Sequence, residues 1–190
     1  KRHTPKLFRN DYDKDLRHLQ EIFARWVVVV TTDFSDESSP LKQAVLNDIS
    51  KLCNFFGKDG VMTCILPQIL AFLNNRKDWE LRSSLCKHLP AVCTIVGRSA
   101  TESFVVPCVE TALIDDEEMV VVNALGCLTA LVRMGFLTRA VLFGRNEVIG
   151  SGQKRGILDK YSSLLLHPFE DIRYSMCLLF ATCSKTIRFP

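Results

Sequence analysis

The sequence predicts an all-α protein built as a stack of about four helical hairpins. Three observations carry that reading. Apolar residues recur at three- and four-residue steps along most of the chain, as one buried face of a helix requires. The apolar block Ile65–Leu73, with Pro67, is matched by Val105–Leu113, with Pro107, at an offset of 40 residues. The β-branched run Val27–Val30 has no second strand to pair with. A length of 190 residues suffices for one ordinary domain or four to five repeat units. An apolar share of 47% against 24% charged excludes disordered and collagen-like chains.

Taken in order, residues 1–11 are expected to form a flexible N-terminal segment ahead of a repeat region covering 12–187. Leu16, Leu19, Ile22, Phe23, Trp26 and Val30 mark a first helix between Tyr12 and Thr32. Ser39-Pro40 offers its partner a cap and a first-turn proline, and Gly57 closes a first unit of 12–57. The second unit, 61–97, contains the clearest helix. Asp78 is its expected N-cap, Leu81, Leu85, Leu89, Val92, Cys93 and Val96 form its apolar face, and Gly97 ends it in a left-handed conformation. Pro67 and Pro107 stand early in the first helices of units two and three, where they either begin the regular part or kink it.

The third unit, 101–135, has an acidic turn at Asp115-Asp116-Glu117-Glu118, then Val120 as its first buried residue, and ends at Gly135. Carboxylates at such a helix start favour its macrodipole. Ile172 lies 52 residues beyond Val120, whereas Leu81 and Val120 are 39 apart. The surplus falls in 139–156, with glycines at 144, 150, 152 and 156, and predicts an inserted loop. A fourth unit follows at 157–187, with His167-Pro168 as its cap.

A period near 40 with the string Asp78-x-x-Leu81-Arg82 is the HEAT pattern; armadillo repeats are the close alternative. One hairpin of such a solenoid cannot bury its own apolar face, so it stacks on its neighbours. Neither end of the repeat region has a polar outer face, which predicts further units on one or both sides. Solenoids of this kind present long surfaces to other proteins, and Trp79 is either a staple between units or an exposed anchor. Asp78 and Arg82, four apart, are placed to pair along their helix. Arg173 takes the place of Arg82 in unit four, while Val121 stands there in unit three.

No enzyme constellation is present. Gly150–Gly156 departs from the phosphate-loop spacing, and its Lys154 and Arg155 are expected to serve at most as partner contacts. Four histidines and eight cysteines show no C-x-x-C, no H-E-x-x-H and no zinc-ligand spacing. No metal or cofactor is therefore expected, and the cysteines are expected to be reduced, buried thiols of a cytosolic protein. The longest charge-free apolar run, Met119–Val132, falls short of the ~20 residues of a membrane span. No hydrophobic block follows Lys1-Arg2-His3, so no signal peptide is expected, and the missing initial Met suggests a fragment. A net charge of +3 is too small for a dedicated nucleic-acid binder. The segment 135–190 nevertheless holds eight Lys or Arg against four Asp or Glu, so a basic face for nucleic acid or anionic membrane is the competing reading.

Longer strings are more specific than the period. Asp48-Ile-Ser-Lys-Leu-Cys-Asn-Phe-Phe-Gly-Lys58, Phe72-Leu-Asn-Asn-Arg-Lys-Asp-Trp-Glu-Leu-Arg82, Tyr12-Asp-Lys-Asp-Leu16, and His167-Pro168 ahead of Ile172-Arg173-Tyr174 stand in one register. Together they resemble the regulatory subunit of the class III phosphoinositide 3-kinase, from about Tyr12 to Thr186. That family joins a kinase-like domain, a HEAT region and a WD-repeat propeller. The resemblance implies a non-catalytic scaffold segment, with the lipid kinase catalytic subunit and a Beclin-like subunit as partners. It also implies a cytoplasmic location, peripheral at endosomal and autophagosomal membranes. The kinase signatures H-R-D and D-F-G do not occur here, and the insertion at 139–156 is longer than the family pattern leads one to expect. Trp79, Arg82, Arg173, Lys154 and Arg155 are the candidate interaction residues.

Overall fold

Because each helix buries only a stripe, the chain gains stability by laying hairpins side by side, and four do so here. The computed structural model describes residues 6–33, 38–144 and 155–186. The first hairpin pairs α1 (Lys6–Thr32) with α2 (Ser39–Asn47) and α3 (Ile49–Gly60). The second runs through a π turn (Val61–Ile65), α4 (Leu66–Leu70) and a 3₁₀ turn (Ala71–Asn74) into α5 (Trp79–Val96). In the third, α6 (Arg98–Ala100), a π turn (Thr101–Val105) and α7 (Val106–Ala112) lead to α8 (Glu118–Arg133). The fourth comprises α9 (Arg139–Phe143), α10 (Ile157–Lys160), a 3₁₀ turn (Ser162–Leu166) and α11 (Glu170–Thr186). The architecture is an all-α helical-repeat solenoid.

The second helices form the inner row: α3 packs on α5, α5 on α8 and α8 on α11. Leu85, Leu89, Leu125, Leu128, Met176 and Leu179 are fully buried along that row. Each contributes about 1.5–3 kcal/mol, which is how neighbouring hairpins supply what one hairpin lacks. The first helices make the outer row, where α1 lies on α4 and Thr31 donates to Gln68 Oε1 at 3.1 Å. Further along, Lys160 pairs with Glu110 at 3.1 Å.

The repeat reaches into backbone detail. The two π turns are offset by 40 residues, and each is followed at once by Leu66-Pro67 or Val106-Pro107. A proline ring clashes with the carbonyl four residues earlier and offers no N–H, so the preceding turn widens. Pro67 and Pro107 therefore both begin the regular part and distort what comes before it. Gly57 and Gly97 are offset likewise, with φ/ψ of 66°/178° and 85°/174°. Both φ are positive, as expected for Gly97, but ψ is extended instead of left-handed, a region essentially confined to glycine.

Several boundaries differ from expectation. Helix α1 starts at Lys6, so part of the stretch 1–11 assigned to a flexible segment is helical. Five residues of the expected loop 139–156 form α9, and Gly144 bridges to Arg155. The cap of α2 is Ser38, one residue earlier than expected, and α11 begins at Glu170, after His167 Nδ1 has accepted the Phe169 N–H at 3.1 Å. The 26-residue run Ile49–Asn74 contains an 18-residue window of mean hydropathy 1.2, long and apolar enough by composition to cross a membrane. It is not one straight helix, since Gly57 breaks it, and its Cys53, Val61, Ile65 and Ile69 lie in the core.

Candidate functional site

One row of polar residues runs along the rim of the solenoid where the first helix of each hairpin turns into the second. Asp78 caps α5 by accepting the Leu81 N–H at 2.8 Å, as its position before the apolar run requires. Its other carboxylate oxygen accepts the Ser39 hydroxyl of the first hairpin, so the cap is also a tie between units. Trp79 follows, 39% exposed, and lines a cleft of about 250 Å³ with Ser39, Lys42, Asn75, Lys77 and Glu80. The indole is thus both packed at the junction of two hairpins and open to solvent.

Arg82 is not at the surface. It is 2% exposed, and its guanidinium grips Asp115 of the next hairpin in a two-pronged bond, Nε to Oδ2 at 2.8 Å and Nη2 to Oδ1 at 2.7 Å. Nη1 meanwhile donates to the carbonyls of Asn75 and Arg76, at 2.8 and 3.0 Å, and so holds the turn of its own hairpin. The expected pair with Asp78 does not form, because each group has a better partner across a unit boundary. Arg82 is therefore a structural residue in this segment and is not presented to a partner.

The hydrogen bond to Asp115 raises the basicity of Arg82 further. Burial pushes the Asp115 carboxyl up, but hydrogen bonds from Arg82 and the Glu117 N–H, with the Arg82 and Arg76 charges, outweigh it. The carboxyl ends below its ordinary value.

Two other cations occupy the same place in their hairpins. Lys42, 40 residues before Arg82, is 2% exposed and donates to the Asp33 carbonyl. Arg173 donates through Nη1 to the carbonyls of His167 and Pro168, both at 2.7 Å, repeating the inward half of the Arg82 arrangement. Lys42 and Asp115 were missed by sequence reasoning. The 40-residue offset was sufficient to find Lys42, whereas nothing local marks Asp115 among four consecutive acids.

The remaining candidates do not join this rim. Arg155 is exposed and faces Asp159 at 3.6 Å, while Lys154 lies outside the described residues. On α1, Leu19, Ile22, Trp26 and Val29 follow one another at three- and four-residue steps, and all are at least 46% exposed. Among the described residues no group of His, Cys, Asp and Glu is placed to hold a metal. Burial pushes the Cys53 and Cys93 thiols up to about 11 and Cys86 up to about 12, so these sulfurs are packing groups and not nucleophiles.

A solenoid with structural cations and no reactive cluster among its described residues leaves homology to decide the family. A family model described as PIK3R4-like, middle domain, matches residues 1–189. The chain belongs to the PIK3R4-like middle-domain family. Within the chain, 176 residues are 37% identical to the probable serine/threonine-protein kinase vps15 of Dictyostelium discoideum, covering 93% of the chain and 8% of that protein. A serine/threonine-protein kinase VPS15 of Arabidopsis thaliana is 33% identical over 147 residues, 77% of the chain and 9% of its own length. A non-specific serine/threonine protein kinase of Candida glabrata is 27% identical over 167 residues, 88% of the chain and 11% of its own. The chain thus spans about a tenth of the length of these curated relatives. Being a PIK3R4-like middle domain, it is a non-catalytic region of a Vps15-type kinase regulatory subunit, outside the kinase domain.

Proposed function

We propose that this PIK3R4-like middle domain is a rigid scaffold of the class III phosphatidylinositol 3-kinase complex. It holds the lipid kinase catalytic subunit and a Beclin-like subunit in fixed relative positions. The parent protein works in the cytoplasm, peripheral at endosomal and autophagosomal membranes, and supports lipid kinase recruitment for autophagy and endosomal or vacuolar sorting. The observation that carries this reading is the stack of four hairpins, the first three tied unit to unit by Asp78 and Arg82 and the fourth tied to the third by Lys160 on Glu110. Such a stack transmits position over its whole length and uses its buried cations to hold shape. The cleft at Trp79 is the favoured point of subunit contact, since it joins an aromatic anchor to exposed Lys77 at a unit junction.

The test uses the full-length regulatory subunit with Trp79→Ala and Lys77→Glu, compared with the unaltered protein for co-purification of the lipid kinase catalytic subunit. Lys77 is exposed and Trp79 is 39% exposed but packed at a unit junction, so the melting temperature of each variant is measured alongside to show that the stack stays folded. Retention reduced by about tenfold, or ~1.4 kcal/mol, supports contact at this cleft. Unchanged retention assigns the contact elsewhere and leaves this segment as a spacer.

A further inference from the structure

We infer that the rim of the third and fourth hairpins docks a basic amphipathic helix of a partner protein. That helix lays apolar side chains on Ile114 and Leu166 and sets its lysines or arginines against the acids beside them. Ile114 lies in the turn between α7 and α8, and Leu166, 52 residues on, ends the 3₁₀ turn ahead of α11. The same offset relates Val120 to Ile172, so both side chains hold one position in their hairpins. A turn position is ordinarily polar, and the second hairpin has exposed Asn74 there. Ile114 and Leu166 are nevertheless 70% and 87% exposed, and Met119 on the same rim is 39% exposed. Ile114 stays open although α8 of its hairpin is packed between α5 and α11. Stacking thus leaves this position uncovered, and its exposure owes nothing to the ends of the stack.

Charge names the occupant. The stretches 113–119 and 165–171 hold six acids, Asp115, Asp116, Glu117, Glu118, Glu170 and Asp171, and no Lys or Arg. Asp115 is taken by Arg82, and the other five are exposed. Among the described residues none of Asp116, Glu118, Glu170 and Asp171 has an ion pair. Helix macrodipoles account for acids in the first turns of α8 and α11. They account neither for apolar side chains set among those acids nor for the want of any cation. The second hairpin differs, with exposed Arg76 and Lys77 on its rim. An acidic rim repels an anionic membrane or a nucleic acid and draws a cationic protein segment. Spacing selects a helix. Packed helices lie about 8–10 Å apart, which matches the ~10.5 Å between side chains seven residues apart on one helix face. The surface is distinct from the Trp79 cleft and holds whether or not a subunit seats there.

The test uses the intact regulatory subunit and a fluorescent helical peptide of lysine and leucine, with its leucines on one face, followed by anisotropy. Saturable binding is expected. Ile114→Ser with Leu166→Ser should weaken it by at least about tenfold, and so should Glu118→Gln with Glu170→Gln. A peptide of the same composition with its leucines spread round the helix should bind the unaltered protein at least about tenfold more weakly. Absence of binding, or binding unmoved by the serine pair, overturns the inference. Binding that falls with the acids alone is general charge attraction and overturns it as well. Vesicles of phosphatidylserine and phosphatidylcholine that bind, and are released by the same substitutions, make the occupant a membrane and overturn it too. The comparison of the two peptides needs no variant, so a misfolded substitution cannot decide the outcome, and equal binding of both overturns the proposal.

Discussion

The pair Arg82–Asp115 shows what a buried charge does in a repeat protein. Both side chains are at most 3% exposed, and the guanidinium also satisfies two turn carbonyls. Removing one partner strands the other, so Arg82→Ala is expected to destabilise by about 3–5 kcal/mol. Arg82→Met combined with Asp115→Leu is expected to cost much less, because no charge is then left buried; denaturant titration of the two variants checks the difference. The acid dependence follows from Asp115. Its folded value is lowered, so the stability it contributes is intact above the ordinary aspartate value near ~4 and is lost as pH falls through the lower folded value. Asp115→Asn should flatten stability against pH below ~4, and unchanged acid sensitivity would count against the pair. At this scale the sequence was legible only where contacts are local. The Asp78 cap reaches three residues along the chain. Arg82 reaches 33 residues into the next hairpin, while a decoy acid sits four residues away, so the spacing of Asp78 and Arg82 pointed to the wrong partner.

Among the elements, glycine and proline set where helices end and bend. A Cβ added at Gly97 would have no atom within 4 Å, so a substitution there meets open space and the penalty is the backbone's alone. Gly97→Ala is expected to cost about 1–3 kcal/mol from backbone strain. Gly126, in the exposed middle of α8 with equally free space, is the converse. Gly126→Ala should stabilise by about 0.5–1 kcal/mol, and thermal melts of the two variants should move in opposite directions. Helix ends were legible because a Gly after an apolar run and a Pro before one act through their own φ. The π turns were not. Widening at Val61–Ile65 is forced by Pro67 from downstream, and the choice between starting a helix and bending one depends on whether helix already precedes it.

Across the whole molecule, the repeat was legible because it rests on spacing summed over the chain, and four hairpins follow in the order the apolar blocks predict. The fourth was read less well. Helix α9 is five residues long, too short to show a period, and it lies at the start of a glycine-rich stretch whose composition is that of a loop. Its end is closed tightly. A Cβ on Gly156 would stand 2.3 Å from the Leu142 carbonyl oxygen and 2.4 Å from the Gly144 nitrogen, and Gly144 bridges to Arg155 beside it. Gly156→Ala is therefore expected to disturb the fourth hairpin by forcing two backbones apart, seen as faster hydrogen exchange in α10 and α11.

The same closure has a meaning for how this protein tolerates change. Two runs of backbone that touch at 144 and 155 form a neck, which fixes both ends of whatever length of chain joins them. Lengthening the chain between two fixed ends is a small perturbation, with each doubling costing only ~0.6 kcal/mol. An epitope or fluorescent domain spliced into 145–154 should leave the melting temperature and the register of all four hairpins as they were. An experimenter can therefore attach a handle there without renegotiating the stack.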